Sequence, residues 1–252
     1  MYRGLTIVAI IPARDEALAI SEVVRGLRDV VTAEGDPVFD RVVVCNNGSS
    51  DDTAALAERA GAMVTHEPQA GYGRACLRAI EQAGECDVLV FVDGDRSLYP
   101  EQAIGLLDGI VGGDDMTIGS RTRGKIEPQA LTLPQRFGNA LAVRLIAVLW
   151  GYRYSDLGPF RAIRTEAYRT LHMRDETYGW TVEMQVKALR LGMRVGERAV
   201  DSRVRLGQSK ISGTVRGVFG AGVGILGMIW RLWRRDRAER LGADVIVIES
   251  GT

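Results

Sequence analysis

Residues 87–101 read DVLVFVDGDRSLYPE. Five apolar residues (88–92) run without interruption into two carboxylates, Asp93 and Asp95, separated only by Gly94. An apolar run of this length bounded by turn formers reads as a strand buried on both faces. Such strands belong to parallel sheets covered by helices, so this stretch points to an α/β fold. Its end poses a chemical question. Asp95 can close a turn on Ser97 or cap the helix that follows. Alternatively, both carboxylates can hold a divalent cation through oxygen ligands.

The neighbouring segments repeat the strand–helix rhythm. Strands are expected at 6–11, 41–45, 62–66, 87–93 and 114–120, with helices after each of the first four. The first helix shows in Ile20, Val23, Val24, Leu27, Val30 and Val31, spaced by threes and fours. After residue 120 the rhythm changes. The stretch 121–136 is polar and rich in turn formers. Helices are expected at 135–150 and from 180, the latter stopping near Gly192, with strand and turn between. The expected architecture is a mostly parallel, Rossmann-like sheet flanked by helices, one compact domain with an acceptor-side subdomain.

Composition narrows the function. The 252 residues carry 32 basic and 32 acidic side chains, for zero net charge. That balance argues against a generic nucleic-acid binder, although residues 203–240 are basic. Cys45, Cys76 and Cys86 form no metal or disulfide pattern, which suits reduced thiols and a cytoplasmic setting. No N-terminal targeting segment is expected. Residues 217–230, GVFGAGVGILGMIW, are uncharged but shorter than the roughly 20 residues of a spanning helix. Flanked by Arg216 and Arg231, they read as a buried or interfacial helix. With Trp230, Trp233, Arg234, Arg235 and Arg237 beyond, that helix can rest peripherally on the inner face of a membrane or pack on the domain or a second copy. The tail 243–250, ADVIVIES, has strand character and could pair with another chain in a homodimer.

In open parallel sheets ligands bind beyond the carboxyl ends of the strands. Polar residues gather there: Pro12, Arg14, Asp15 and Glu16 after the first strand, and NNGSSDDT (46–53) after the second. Asp93 and Asp95 follow the fourth strand, and Arg121 and Arg123 the fifth. No P-loop is present, and GYGRAC (71–76) keeps only two glycines of a dinucleotide fingerprint. A pair of carboxylates suits Mg²⁺ or Mn²⁺ completed by substrate phosphates, with arginines answering further phosphate charge. Blander readings stand beside this one. NNGSSDDT can be a turn and helix cap, Glu183 can pair with Lys187 four residues on, Arg161 and Arg164 can be surface charges, and His66 and His172 have no spaced partner.

Several motifs, in order, resemble family 2 glycosyltransferases of the GT-A fold. They are AIIPARDEA (9–17), VVVCNNGSSDDT (42–53), VFVDGDRSLYPE (90–101) and GSR (119–121). The second half resembles polyprenyl-phosphate hexose synthases of the dolichyl-phosphate mannose synthase type, through QRFGN (135–139), SDLGPFRAIR (155–164), YGWTVEMQVKA (178–188) and RLGQSKISGT (205–214). The resemblance implies metal-dependent, inverting transfer of a hexose from a nucleoside-diphosphate sugar, of the UDP-glucose or GDP-mannose type, to polyprenyl phosphate or to a small hydroxyl acceptor. It also implies roles. Asp15 and Glu16 would lie near the ribose, and Pro12, Arg14, Gly48, Asp51 and Gly73 would also bind substrate. Asn46 would meet the base, where the family usually has Asp, which leaves uracil or guanine open. Asp93 and Asp95, with Gly94 between them, would hold metal and diphosphate. Arg121 and Arg136 would face the acceptor or its phosphate, and Asp156, Arg161 and Glu183 would line the sugar and acceptor pocket. Asp156 or Glu183 would be the base for a hydroxyl acceptor, and Arg205 and Lys210 would close over the diphosphate. Residues 1–120 would form the donor half, 121–214 the acceptor half, and 215–252 a basic amphipathic helix and tail. A nucleotidyltransferase would need a glycine-rich basic loop after the first strand, which PARDEALAI lacks. A non-catalytic nucleotide-sugar-binding protein would be expected to have lost its carboxylates.

Overall fold

The computed structural model describes residues 2–207 and 215–249. Seven strands form one sheet: β1 (Ile7–Ala13), β2 (Arg41–Asn46), β3 (Met63–His66), β4 (Val88–Phe91), β5 (Met116–Ser120), β6 (Arg161–Arg164) and β7 (Val195–Ala199). Their order is β3-β2-β1-β4-β6-β5-β7. All pairings are parallel except those of β6, which runs antiparallel to both β4 and β5. The chain's second half thus inserts a strand into the sheet begun by the first. β4 is covered on both faces, as its apolar run requires.

Helices fill the two faces. On one side α1 (Ile20–Arg28), α2 (Thr53–Arg59) and α4 (Ala103–Val111) bury Val23, Leu27, Ala57, Leu106 and Ile110. On the other, α3 (Tyr72–Glu81), α5 (Leu133–Trp150), α7 (Trp180–Arg190) and α8 (Val215–Glu249) contribute Ala75, Ala79, Ile146, Val186, Met228 and Leu232. The short α6 (Thr165–Leu171) follows β6.

Two expected boundaries move for local reasons. α5 begins at Leu133 because Thr132 and Gln135 form a reciprocal capping box, with Pro134 in the first turn. Of the tail 243–250 expected to have strand character, residues 243–249 are instead the end of α8, and residue 250 lies outside the described residues. Extending a formed helix adds one hydrogen bond per residue fixed, and β-branched residues cost it only tenths of a kcal/mol each. Among the described residues no helix is long and apolar enough to cross a membrane.

Candidate functional site

The carboxyl ends of β1, β2 and β4 open onto a cleft of about 240 Å³. Of the expected site residues, Pro12, Arg14, Glu16, Asp93, Gly94, Asp95 and Arg205 line it. Tyr72, Thr177 and Tyr178 line it too, and sequence reasoning missed all three. The signal available was a tyrosine between two glycines (71–73) where a strand-end loop enters a helix.

A second group lies behind the lining and holds the loops. Asp15 adopts φ 51°, a left-handed conformation that Asp tolerates through local hydrogen bonds. Its Oδ1 accepts from the Ser50 backbone N–H (2.7 Å) and hydroxyl (3.0 Å). Asp51 accepts from the Ala17 N–H at 3.1 Å and the Thr53 N–H at 3.0 Å. Asn46 Oδ1 accepts from the Ser49 N–H at 3.2 Å, and its Nδ2 stands 3.3 Å from His66 Nδ1. Gly48 turns at φ +65°, with the Pro68 carbonyl 3.2 Å from where a Cβ would stand. These residues tie the loop after β1 to the loop after β2. NNGSSDDT therefore forms a turn leading into α2, but the expected helix cap is not realised: the N-cap is Asp52, whose side chain makes no capping hydrogen bond.

The third wall comes from farther along the chain. Asn47, 5% exposed, donates to the Glu67 and Gln69 carbonyls and accepts from the Gly71 N–H. That fixes the start of α3. Gly73 then donates its N–H to the Thr177 carbonyl at 3.2 Å, and a Cβ there would lie 1.9 Å from the Asp175 carbonyl oxygen. Only a residue without a side chain lets residues 175–178 lie across the helix start and bring Thr177 and Tyr178 to the cleft.

The carboxylates are perturbed by this enclosure. Burial, then the neighbouring Asp95, pushes Asp93 up to about 6, and Tyr72 donates to its Oδ1 at 3.2 Å. Burial pushes Glu16 up to about 7 against the opposing pull of Arg205. Asp95 divides its oxygens. Oδ1 accepts the Ser97 N–H at 2.9 Å, and Oδ2 lies 3.3 Å from Arg205 Nη1. The turn-capping reading of Asp95 is realised by one oxygen, leaving the other on the cleft. Among the described residues no cluster of three or more His, Cys, Asp or Glu side chains could hold a metal. The donor set is one half-buried and one buried carboxylate, Asp93 and Asp95, the kind of partial shell that leaves positions for phosphate and water oxygens.

The second-half residues separate. Arg121, just after β5, clasps Asp156 bidentately: Nε to Oδ2 at 2.8 Å, Nη2 to Oδ1 at 2.8 Å, with the Arg121 N–H also donating to Oδ2 at 2.9 Å. Arg123 pairs with Glu197 at 2.9 Å. Arg136 is exposed in the first turns of α5. Arg161 is neither a surface charge nor a pocket residue. It is 1% exposed and donates to the carbonyls of Leu157, Gly158 and Thr181, bracing the loop that carries Asp156. Glu183 pairs with Lys187 at 2.7 Å, as its spacing suggested, but is 3% exposed rather than solvated. Its oxygens also accept the N–H groups of Arg174 and Asp175, so it holds the chain leading into the 175–178 loop and is not on the cleft lining. Lys210 lies outside the described residues.

The site therefore presents an acid cluster with arginines on its flanks, at the strand ends of an α/β sheet. Comparison with known proteins places the chain among glycosyltransferases. The chain is 32% identical over 184 residues to glycosyltransferase AglJ of Haloferax volcanii, covering 73% of this chain and 58% of AglJ. It thus spans little more than half of that relative's length. It is 30% identical over 252 residues to the undecaprenyl-phosphate mannosyltransferase of Micrococcus luteus, covering 94% of this chain and 100% of that one. Glucosyl-3-phosphoglycerate synthase from Mycobacterium tuberculosis, solved with Mn²⁺, UDP and glucosyl-3-phosphoglycerate, superposes with a TM-score of 0.69 at 20% identity, over 90% of this chain and 81% of that one. The shared architecture is the GT-A fold. The profile of glycosyl transferase family 2 matches residues 8–179, and the chain belongs to that family.

Proposed function

We propose that the protein is an inverting, metal-dependent hexosyltransferase that moves a hexose from a nucleoside-diphosphate sugar to polyprenyl phosphate. The state of the two carboxylates expected to act as a base carries the choice of acceptor. Both oxygens of Asp156 are taken by Arg121, and both of Glu183 by Lys187 and two backbone N–H groups. A hydroxyl acceptor needs a base to remove its proton. A phosphate acceptor is already an anion and needs cations to position it. Arg136, exposed in the first turns of α5, would meet that second need, with Arg121 and Arg123 joining only by leaving Asp156 and Glu197, and the Micrococcus luteus relative is named for a polyprenyl phosphate.

On the donor side, Asp93 and Asp95 would hold Mg²⁺ or Mn²⁺, with Glu16 and Arg14 toward the nucleoside and Arg205 and Lys210 toward the diphosphate. The ion supplies a Lewis acid for the charge that grows on the departing diphosphate. Residues 1–120 would bind the donor and 121–214 the acceptor. Beyond them, α8 would bring the cleft to a lipid surface through Trp230 and its neighbouring arginines.

A second reading keeps the donor chemistry and takes a small soluble acceptor, as the glucosyl-3-phosphoglycerate synthase likeness favours. The test offers the purified protein radiolabelled UDP-glucose or GDP-mannose with Mn²⁺, and either undecaprenyl phosphate or 3-phosphoglycerate. The expected result is chelator-sensitive label in the organic phase, lost in Asp93→Ala and Asp95→Ala. Transfer to phosphoglycerate alone would overturn the lipid acceptor. Full activity in both variants would overturn the metal assignment.

A further inference from the structure

Arg205 is a cation built into the acid cluster. Its Nη2 lies 2.7 Å from Glu16 Oε1 and its Nη1 3.3 Å from Asp95 Oδ2. The side chain is three-quarters buried, and among the described residues its Nε has no hydrogen-bond partner. The backbone that carries it is pinned. The Arg203 N–H donates to the Ser97 carbonyl at 3.0 Å, Arg203 Nε to the Arg96 carbonyl at 2.7 Å, and the Leu206 N–H to the Asp95 carbonyl at 3.1 Å. The main chain of 203–206 is thus laid along the turn that carries Asp95, while the long side chain reaches back into the cleft. Three carboxylates, Glu16, Asp93 and Asp95, line that cleft, near enough for the two aspartates to raise Glu16. Without a nearby cation they would repel one another in a partly desolvated space.

A divalent ion on Asp95 and a guanidinium on the same carboxylate would stand within a few ångströms of each other, and like charges at that range repel strongly. We propose that Arg205 is an exchangeable counter-ion. In the ligand-free protein it bridges Glu16 and Asp95. On loading it yields Asp95 to the metal and passes its guanidinium to the incoming diphosphate. This rests on the reading that Asp93 and Asp95 hold a metal–diphosphate. Because metal alone must displace Arg205, whereas diphosphate gives Arg205 a new anion, metal and nucleotide bind with positive coupling. That coupling is reciprocal between the two ligands. Arg205 then sets how sharply the cleft distinguishes a metal-bound nucleotide from the free ion.

The experiment measures Mn²⁺ binding by the loss of the free-ion electron paramagnetic resonance signal. Wild type and Arg205→Ala are titrated alone, with UDP and with GDP. The wild type is expected to bind Mn²⁺ weakly alone and more tightly with one of the two nucleotides. Arg205→Ala is expected to bind Mn²⁺ alone roughly ten- to a hundredfold more tightly, the usual scale for removing one charge beside a carboxylate, while the gain on adding nucleotide shrinks toward one. A residue that only held the fold would weaken both. Arg205→Gln, uncharged but similar in length, repeats the test if the alanine variant does not fold. Unchanged or weaker Mn²⁺ affinity in a folded variant, beside wild-type Mn²⁺–nucleotide binding, overturns the counter-ion role and leaves the metal assignment standing. A wild type that binds no Mn²⁺ with either nucleotide overturns both.

Discussion

Asp93 and Glu16 ionise against their surroundings. Burial raises Asp93 to about 6 and Glu16 to about 7. A carboxyl raised on folding keeps its proton in the folded chain at pH values where the unfolded chain has lost it. The folded state is therefore relatively favoured below about pH 4–5, and that advantage is lost as pH climbs through about 6 to 7. Asp93→Asn, which cannot ionise, is expected to gain stability over the ligand-free wild type by about 1–2 kcal/mol more at pH 8 than at pH 5, as urea unfolding at the two pH values would measure. Metal affinity should run the other way, rising from pH 5 to 7.5, because the ligating oxygens must be deprotonated. Asp156 is a different case. It is fully buried and clasped by Arg121, so Asp156→Ala leaves a mostly buried guanidinium unpaired. The expected loss is about 3–5 kcal/mol in chemical denaturation. The sequence signalled Asp93, Asp95 and Asp156 because each stands at a strand end or in a recognisable motif. It did not reveal that Arg161 is interior. The first arginine of FRAIR looks like any surface arginine, and only backbone carbonyls from residues distant in the chain, such as that of Thr181, give it a reason to be buried.

At the level of elements, β1, β2 and β4 were legible as apolar runs closed by turn formers, and β3 and β5 as short β-prone segments in the same strand–helix rhythm. β6 was harder to place. Its four residues, RAIR, have charge at both ends, and its antiparallel pairing with β4 and β5 depends on where the chain returns after α5. No local pattern encodes that return. The crossing of residues 175–178 over α3 was equally hidden, although it brings Thr177 and Tyr178 to the cleft. Gly73 is its most sensitive point. Gly73→Ala would set a Cβ 1.9 Å from the Asp175 carbonyl oxygen. The loop must then lift, and the expected result is a loss of about 1–3 kcal/mol, as for overpacking, with weaker nucleotide binding by calorimetry. Ala at Gly105, half-buried on α4 with open space where its Cβ would stand, should do neither.

Across the whole molecule, α8 is fastened to the domain rather than appended to it. Trp150 Nε1 donates to Asp236 at 2.6 Å, and Arg190 bridges Asp236 and Glu239. Met228, Ile229 and Leu232 join the core beside α7. The same helix supports the cleft loop. Arg231 reaches Asp175 at 3.4 Å, a Cβ on Gly179 would meet Met228 at 3.0 Å, and one on Gly224 would meet Tyr178 at 3.4 Å. Truncation after residue 214 is expected to lower the thermal midpoint and also to weaken nucleotide binding, as differential scanning fluorimetry with UDP or GDP would show. A helix that only met a lipid surface would affect neither. This arrangement bears on the order in which the protein can become competent during synthesis. The acid cluster has left the ribosome by residue 95, yet its counter-charge waits for residue 205 and the loop forming its far wall waits for a helix that starts at 215. A nascent or proteolysed chain holding only the first 120 residues would carry Glu16, Asp93 and Asp95 with neither, so the cleft matures only once α8 has been made and docked.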